Sequence, residues 1–382
     1  MRAMKEAPAA PLLKDGFDAA TVRAIAEAVA AAHPGFAADR FTAHCLDGFA
    51  ALSLMARVHR VAQALHAHLA LPFGPAVAVL RQAMGEPGPS RRAPEGITVF
   101  RHAPYLQFVA EAGLGEPEAA LDALEWMTRH FTGEFAIRPF LQHHLERTLA
   151  RMQRWCAHPD ARVRRLASEG ARPLLPWGRR VAQLIAQPAL TVPLIDALAG
   201  DPDEVVRRSA ANHLNDLSRL DAALALEVAR RWQARALPDG GRTLQRALRT
   251  LVKQGRPEAL ALLGYAVDAP FVLEEFELDR REVPIGGRLV LCFALRCAPG
   301  RGGRACVDYA IGYASGNGRP RRKVFKGTVR ELPGGAVQRF AFARDFVVRS
   351  TRRLYSGAHR AEVLVNGRVL GALDFELTDG GA

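Results

Sequence analysis

Apolar residues recur at helical spacing through the first two thirds of the chain. Between Phe17 and Ala32, Val22, Ile25 and Val29 are three and four apart and share one helix face. Pro34-Gly35 ends that helix. A second helix from about Ala37 takes its apolar side from Phe41, Leu46, Phe49 and Leu52. A third is predicted over Leu54 to Ala70, closed by Leu71-Pro72, and a short fourth over Pro75 to Met84. Residues 85–96, GEPGPSRRAPEG, read as a loop. Helical patterning resumes at Ile97 and pauses at the turn Gly113–Pro117. Leu121, Leu124 and Met127 then mark a helix from Glu118 to His130. In FTGEFAIRPFL, 131–141, Gly133 is placed to break the helical line. A helix from Pro139 to Cys156 would follow, with proline in its first turn.

One interval then organises the chain. Pro159, Val163, Arg164, Arg165 and Ala167 return forty-three residues later as Pro202, Val206, Arg207, Arg208 and Ala210. That interval is in the range of two-helix HEAT-type repeats, here at about 160–197 and 203–236. Such repeats stack into a curved solenoid with a concave face. Leu244, Leu248, Leu251, Leu260 and Leu263 carry a last helical stretch over 242–264.

Past Gly264 the period shortens. FVLEEFELDR, RLVLCFALRC, CVDYAIGYA, KVFKGTVREL and VQRFAFARDF read as strands, and Asn366-Gly367 in the last strand region is a two-residue hairpin signal. Six or seven short strands in this length predict a small β-sandwich. There is no Cys–Trp–Cys spacing, so the match is to the architecture alone. The expected organisation is a tail at 1–16, a helical domain at 17–265 and a sandwich at 267–382.

Length and composition fit that division. The chain has 382 residues, enough for about two domains, with 49% hydrophobic and 24% charged residues. No run of about 18 apolar residues suits a membrane span, and the N-terminus lacks the pattern of a secretory signal. The five cysteines form no CxxC pair, which favours core thiols in a reducing, cytoplasmic compartment. The net charge of +13 is unevenly spread. Residues 1–150 carry −1, residues 151–256 carry +9 and residues 267–382 carry +6. An arginine field centred on the repeats suggests a polyanion, nucleic acid being the commonest. An arginine-rich surface with no ligand would give the same excess.

A plain basic face does not need the acids in this region. Glu134 lies in the aromatic turn GEFAIRPF, and Glu125 lies earlier, beside Trp126. Glu169 is four residues after Arg165, which permits an ordinary ion pair along one helix. Asp216 is forty-seven residues past Glu169, close to the repeat interval, so both carboxylates can face one groove. Trp177, in LPWG, suggests a turn at the rim with its ring toward a ligand, although a tryptophan there can also plug two repeats together. Asn212, His213 and Asn215 could support the site. No histidine has an acid partner at metal-ligand spacing, so no metal is expected. Neither GxGxxG nor GxxxxGK[ST] occurs. RPRRKVFK, 319–326, is a basic run in or beside a sandwich loop, fit to meet phosphate.

FTGEFAIRPFL, VRRLASEGARPLLPWG and VRRSAANHLNDLS together resemble the AlkC branch of the DNA alkylation repair glycosylases. The resemblance covers roughly residues 15–265, and the sandwich fits the longer form of the family. It implies an all-α HEAT-like solenoid followed by an immunoglobulin-like β-sandwich. It also implies a cofactor-independent enzyme that releases N3-alkylated bases, 3-methyladenine and 3-methylcytosine, from double-stranded DNA. The family's groove carboxylates fall on Glu134, Glu169 and Asp216. Its aromatic near the lesion falls on Trp177, and its supporting groove arginine on Arg165. Phosphate contacts are expected from Arg164, Arg207, Arg208, Arg179 and Arg180, and from Arg321, Arg322 and Lys323 in the sandwich. The implied protein is a cytoplasmic monomer acting at the bacterial nucleoid. Without the resemblance, a non-enzymatic nucleic-acid binder and a protein-interaction scaffold fit the repeats and the charge equally well.

Overall fold

The computed structural model describes residues 13–88, 97–267, 271–316, 321–348 and 353–379. Most of the expected tail, residues 89–96 of the expected loop, and Arg319 lie outside the described residues. By internal contacts the chain divides into Met1–Asp221 and Ala222–Ala382.

The first unit is helical among its described residues. Asp18 caps the helix Ala19–Ala32 by accepting from the Thr21 amide, and Val22, Ile25 and Val29 are buried on its inner face. The helix Leu54–Leu69 ends at Ala70, in the left-handed region at φ +47°. The next begins at Phe73, two residues before the expected Pro75, and buries Phe73 itself. The single helix expected over Pro139–Cys156 is two, Arg138–His143 and Leu145–Trp155. His144 leaves the helical region between them, and its Nε2 meets the Leu114 carbonyl at 2.9 Å. A tertiary hydrogen bond here overrides an unbroken apolar periodicity. Among the described residues no single helix is long and apolar enough to cross a membrane.

The forty-three-residue interval is visible as two helices packed together, Ala161–Glu169 and Glu204–Leu217. Asp160 and Asp203 occupy the same position in each and cap alike, accepting from the Arg162 and Val205 amides at 2.8 and 2.7 Å. The chain after the first of these helices is less regular than a two-helix repeat requires. Residues 170–181 form no helix, and short pieces follow at Ala182–Ala186 and Val192–Leu198.

In the second unit the helical stretch expected over 242–264 is three short helices, Gly240–Ala247, Arg249–Lys253 and Pro257–Leu262. Eight strands follow among the described residues: β1 Phe271–Leu278, β2 Glu282–Pro284, β3 Arg288–Cys297, β4 Gly303–Tyr313, β5 Arg321–Leu332, β6 Val337–Asp345, β7 Gly357–Val365 and β8 Arg368–Thr378. One sheet has the order β1-β3-β6, the other β2-β8-β7-β4-β5. Leu291, Ile311, Phe346 and Phe375 are among the side chains forming the buried core. The three-residue β2 is too short to show alternation and escapes the sequence reading. The Asn366-Gly367 hairpin is present, with φ +51° and +76°. Its glycine has a further reason: a Cβ there would lie 2.3 Å from the Gly255 Cα. Asn366 donates to the Ala266 carbonyl and accepts from the Cys306 amide, tying the turn to the preceding helices and to β4. All five cysteines are unpaired; Cys45, Cys297 and Cys306 are buried, but Cys292 is exposed.

Candidate active site

The site is built where the turn after the helix Pro117–Met127 meets the end of the helix Ala161–Glu169. Gly133 donates its amide to Thr128 Oγ1, and its bare Cα face lies against Leu166. That close approach brings Glu134 over the second helix. Glu134 Oε2 accepts from Thr132 Oγ1 at 2.7 Å and pairs with Arg165 Nη2 at 2.8 Å. Arg165 also donates to Thr132 Oγ1. Arg165 is therefore held by the 132–134 turn, and the ion pair with Glu169 that the spacing permits does not form. Glu169 ends its helix turned inward, where a different cation meets it.

That cation is Arg172. Its Nη1 lies 2.5 Å from Glu169 Oε1, while its Nε and Nη2 donate to the two Asp216 oxygens at 2.9 and 3.2 Å. Ser209 Oγ donates to the other Glu169 oxygen at 2.6 Å. Burial alone would lower the Arg172 pKa, but Asp216 and Glu169 hold it above its usual value. Three carboxylates thus share two guanidiniums, leaving one negative charge in the cluster. The carboxylates are not equivalent. Glu134, Glu169 and Arg172 line a cleft of about 640 Å³, whereas Asp216 is only 2% exposed and stands behind Arg172. The rest of the lining is largely apolar, with Phe131 and Phe135 in it.

Trp177 also lines the cleft, at the turn that LPWG predicts. It is 86% exposed and holds a left-handed φ of +61°. For a bulky side chain that conformation costs on the order of 1–2 kcal/mol, and an indole in water adds an unused apolar surface. Such a residue is available to a ligand and does not plug two helices together.

The expected phosphate-binding arginines separate into two groups. Arg179, Arg180 and Arg208 are exposed. Arg164 and Arg207 are engaged internally, which corrects the expectation for them. Arg164 binds both Asp201 oxygens at 2.6 and 2.9 Å and the His158 and Pro159 carbonyls. Arg207, at the same repeat position, is buried and donates to the equivalent carbonyls, Asp201 and Pro202. The recurrence of this arginine reflects how the repeat turn is closed. In the sandwich Arg321, Arg322 and Lys323 are exposed on β5, an edge strand. Arg322 pairs with Glu362 on β7, reaching across β4.

His213 is fully enclosed. Its Nδ1 meets the Ser168 carbonyl and its Nε2 meets Thr191 Oγ1, at 3.0 and 2.9 Å. Burial, with Arg172 nearby, lowers its pKa to about 3. It stays neutral and structural, and is no acid or base for the cleft. Among the described residues no group of three or more His, Cys, Asp or Glu side chains could hold a metal ion.

Two residues essential to this geometry were missed from the sequence, Arg172 and Arg138. Arg172 is three residues after Glu169, a spacing that permits an ion pair as readily as the four-residue spacing to Arg165. Arg138 bonds only backbone carbonyls and leaves no signal in the sequence.

Comparison with known proteins covers nearly the whole chain. A family model described as the C-terminal Ig-like domain of the uncharacterised protein YhaZ matches residues 272–379. YhaZ of Bacillus subtilis (strain 168) is 31% identical over 366 residues, 96% of this chain and 99% of the relative. The structure of the Pseudomonas fluorescens alkylpurine DNA glycosylase AlkC, bound to DNA containing an abasic site analog, matches with a TM-score of 0.88. It is 35% identical, over 96% of this chain and 99% of that one.

Proposed function

This chain belongs to the family of AlkC and YhaZ, and on that premise we propose that it is a DNA glycosylase that removes alkylated bases. The observation that carries the reading is Glu134 and Glu169 lining one cleft beneath an exposed, left-handed Trp177, in a chain aligned end to end with a DNA-bound alkylpurine glycosylase.

The substrates that suit this cluster are cationic N3-alkylated bases, 3-methyladenine and 3-methylcytosine. Such a base is already positively charged, so its glycosidic bond is weakened and no strong acid, metal or cofactor is called for. As the bond breaks, positive charge moves to the sugar. Glu169 and Glu134 stabilise it, in a site where fixed charges act with little reorganisation. One of them activates or orients the attacking water, as the second carboxylate does in glycoside hydrolysis. Arg172, itself held by Asp216, orients Glu169 from behind. The Trp177 face favours a cationic base or sugar. Exposed Arg179, Arg180 and Arg208 supply phosphate contacts that offset the repulsion between the carboxylates and DNA.

Incubating the protein, as a monomer, with duplex carrying one N3-methylated base tests this. Free base released in the presence of a chelator is the expected result. Salt-dependent binding with no release, at any enzyme excess, would leave a passive nucleic-acid binder instead.

A further inference from the structure

Residues 170–181 connect Glu169 to the next helix without forming one, yet their first residues are buried. Buried carbonyls outside regular structure need donors. Arg138 provides them. It is 0% exposed, at the start of the helix Arg138–His143 and four residues after Glu134. Its Nη1 donates to the Gly170 and Arg172 carbonyls at 2.8 and 2.7 Å, and its Nε donates to the Arg179 carbonyl at 2.8 Å. One side chain thus joins the two ends of the segment. Between the joined ends lie Arg172, which orients Glu169 and Asp216, and the left-handed Trp177. Gly170 makes the contact possible, since a Cβ there would lie 2.6 Å from Ile137 Cγ2. Burial, with Arg180 and Arg172 nearby and Asp216 opposing them, lowers the Arg138 pKa to about 10, so it is charged at neutral pH. Burying a charge whose Nη2 has no partner is costly, more than a loop staple made of neutral groups would require.

We propose that Arg138 is a positioning residue for base excision: by clamping residues 170 to 179 it fixes Arg172, and through it Glu169, together with Trp177 against the Glu134 wall of the cleft. The inference rests on the proposed glycosylase function. A lysine retains the charge but has no planar fork to reach three carbonyls at once. Misplacing catalytic groups by about 1 Å costs up to ~10²-fold in rate.

The test compares Arg138→Lys, Arg138→Met and Gly170→Ala with Arg57→Met. Arg57 is a second buried arginine that also donates to three carbonyls, of Lys14, Phe17 and Ala50, none of them in this segment. Single-turnover release at saturating enzyme is measured well below each melting temperature, beside affinity for undamaged duplex. In parallel the protein is labelled with 5-fluorotryptophan, and the Trp177 fluorine resonance is assigned by its loss in Trp177→Phe. The Arg138 and Gly170 variants should release base at least ~10-fold more slowly, with duplex affinity within about threefold, and should shift or broaden the Trp177 resonance. Arg57→Met should melt lower with rate and resonance unchanged. If Arg138→Met does not fold, Arg138→Lys and Gly170→Ala carry the same reading from either side of the contact. Wild-type rate and an unmoved resonance in a folded Arg138→Lys or Gly170→Ala would overturn the proposal. If the wild-type protein releases no base, the glycosylase reading fails, and the fluorine signal still decides whether Arg138 holds Trp177.

Discussion

Glu169 and Asp216 meet the same guanidinium from opposite sides, so removing either charge should fail for a different reason. Glu169 lines the cleft, and Glu169→Gln keeps its shape while deleting the charge offered to the sugar. Release should fall by at least ~10²-fold, with duplex affinity equal or improved. Asp216→Asn should slow release comparably by freeing Arg172 to neutralise Glu169. It should also destabilise the fold, because it breaks a buried pair, a change that costs about 3–5 kcal/mol when one partner is lost. Single-turnover rates and urea unfolding separate the two routes, and near wild-type rates for both variants would sink the assignment. His213 gives a second residue-scale expectation. Its folded pKa of about 3 lies below the ordinary value, so the unfolded chain takes up a proton first as pH falls. The stability it contributes is complete above about pH 6.5 and is lost progressively below it, on the order of 1 kcal/mol per pH unit. His213→Gln should flatten the fall in urea midpoint between pH 6.5 and 4.5; an unchanged slope would remove His213 from the acid response. At this scale the sequence pointed to the acids, Trp177 and Arg165, but not to Arg172 or to which cation each acid meets. A spacing of three or four residues says which side chains are neighbours on a helix. Ser209 and Asp216, from another helix, decide that Arg172 takes Glu169 and leaves Arg165 to Glu134.

The forty-three-residue interval shows what an element-level pattern can and cannot say. The two helices and their packing were legible because the interval and the apolar spacing are carried by the sequence itself. The use of each repeated arginine was not, because Arg164 and Arg165 are adjacent and point to different surroundings. Arg164 and Arg207 close the turns that precede their helices. Arg164→Ala and Arg207→Ala should therefore lower stability by roughly 2–5 kcal/mol and leave the salt dependence of duplex binding as it is. Arg208→Ala, at an exposed position, should do the reverse, lowering the salt slope by about 1 with little loss of stability. Urea unfolding and salt titration on all three variants test the division, and a reduced slope for Arg207→Ala would return it to the DNA-binding face. The strands were legible for the same local reasons as the helices, down to the Asn366-Gly367 turn. The break at His144 was not, since a tertiary bond imposes it on a sequence that reads as continuous helix. Within 242–264 the leucine spacing masked a local stop, Gly255 at φ +69° just ahead of Pro257.

At the scale of the whole chain, positive charge lies in the repeat region and again in the sandwich, with residues 267–382 at +6. A second basic surface tethered to the first would bind duplex in a nearly intramolecular step, so we expect the sandwich to add affinity more than chemistry. Deleting residues 267–382 is a poor test of this. Asn366 bonds Ala266, Arg304 bonds the Leu263 carbonyl, and Gly367 packs on Gly255. That deletion strips the helices before it of their partners, and lost excision could then mean lost folding. Charge reversal in the intact chain avoids the problem. Arg321 and Lys323 suit it, because both are exposed on the edge strand β5. Arg322 does not, because a carboxylate there would face Glu362. The double variant Arg321→Glu with Lys323→Glu should weaken binding to undamaged and lesion-bearing duplex by a similar factor, about tenfold at low salt, and lower the salt slope. Its single-turnover rate at saturating enzyme should stay within about twofold of wild type, because phosphate contacts position the duplex without acting on the sugar. A melting temperature equal to wild type would show that the fold is intact. Unchanged affinity and slope in such a protein would exclude β5 as a phosphate contact and leave the excess charge of this unit to serve edge protection, the ordinary use of basic side chains on a strand with one unpaired edge.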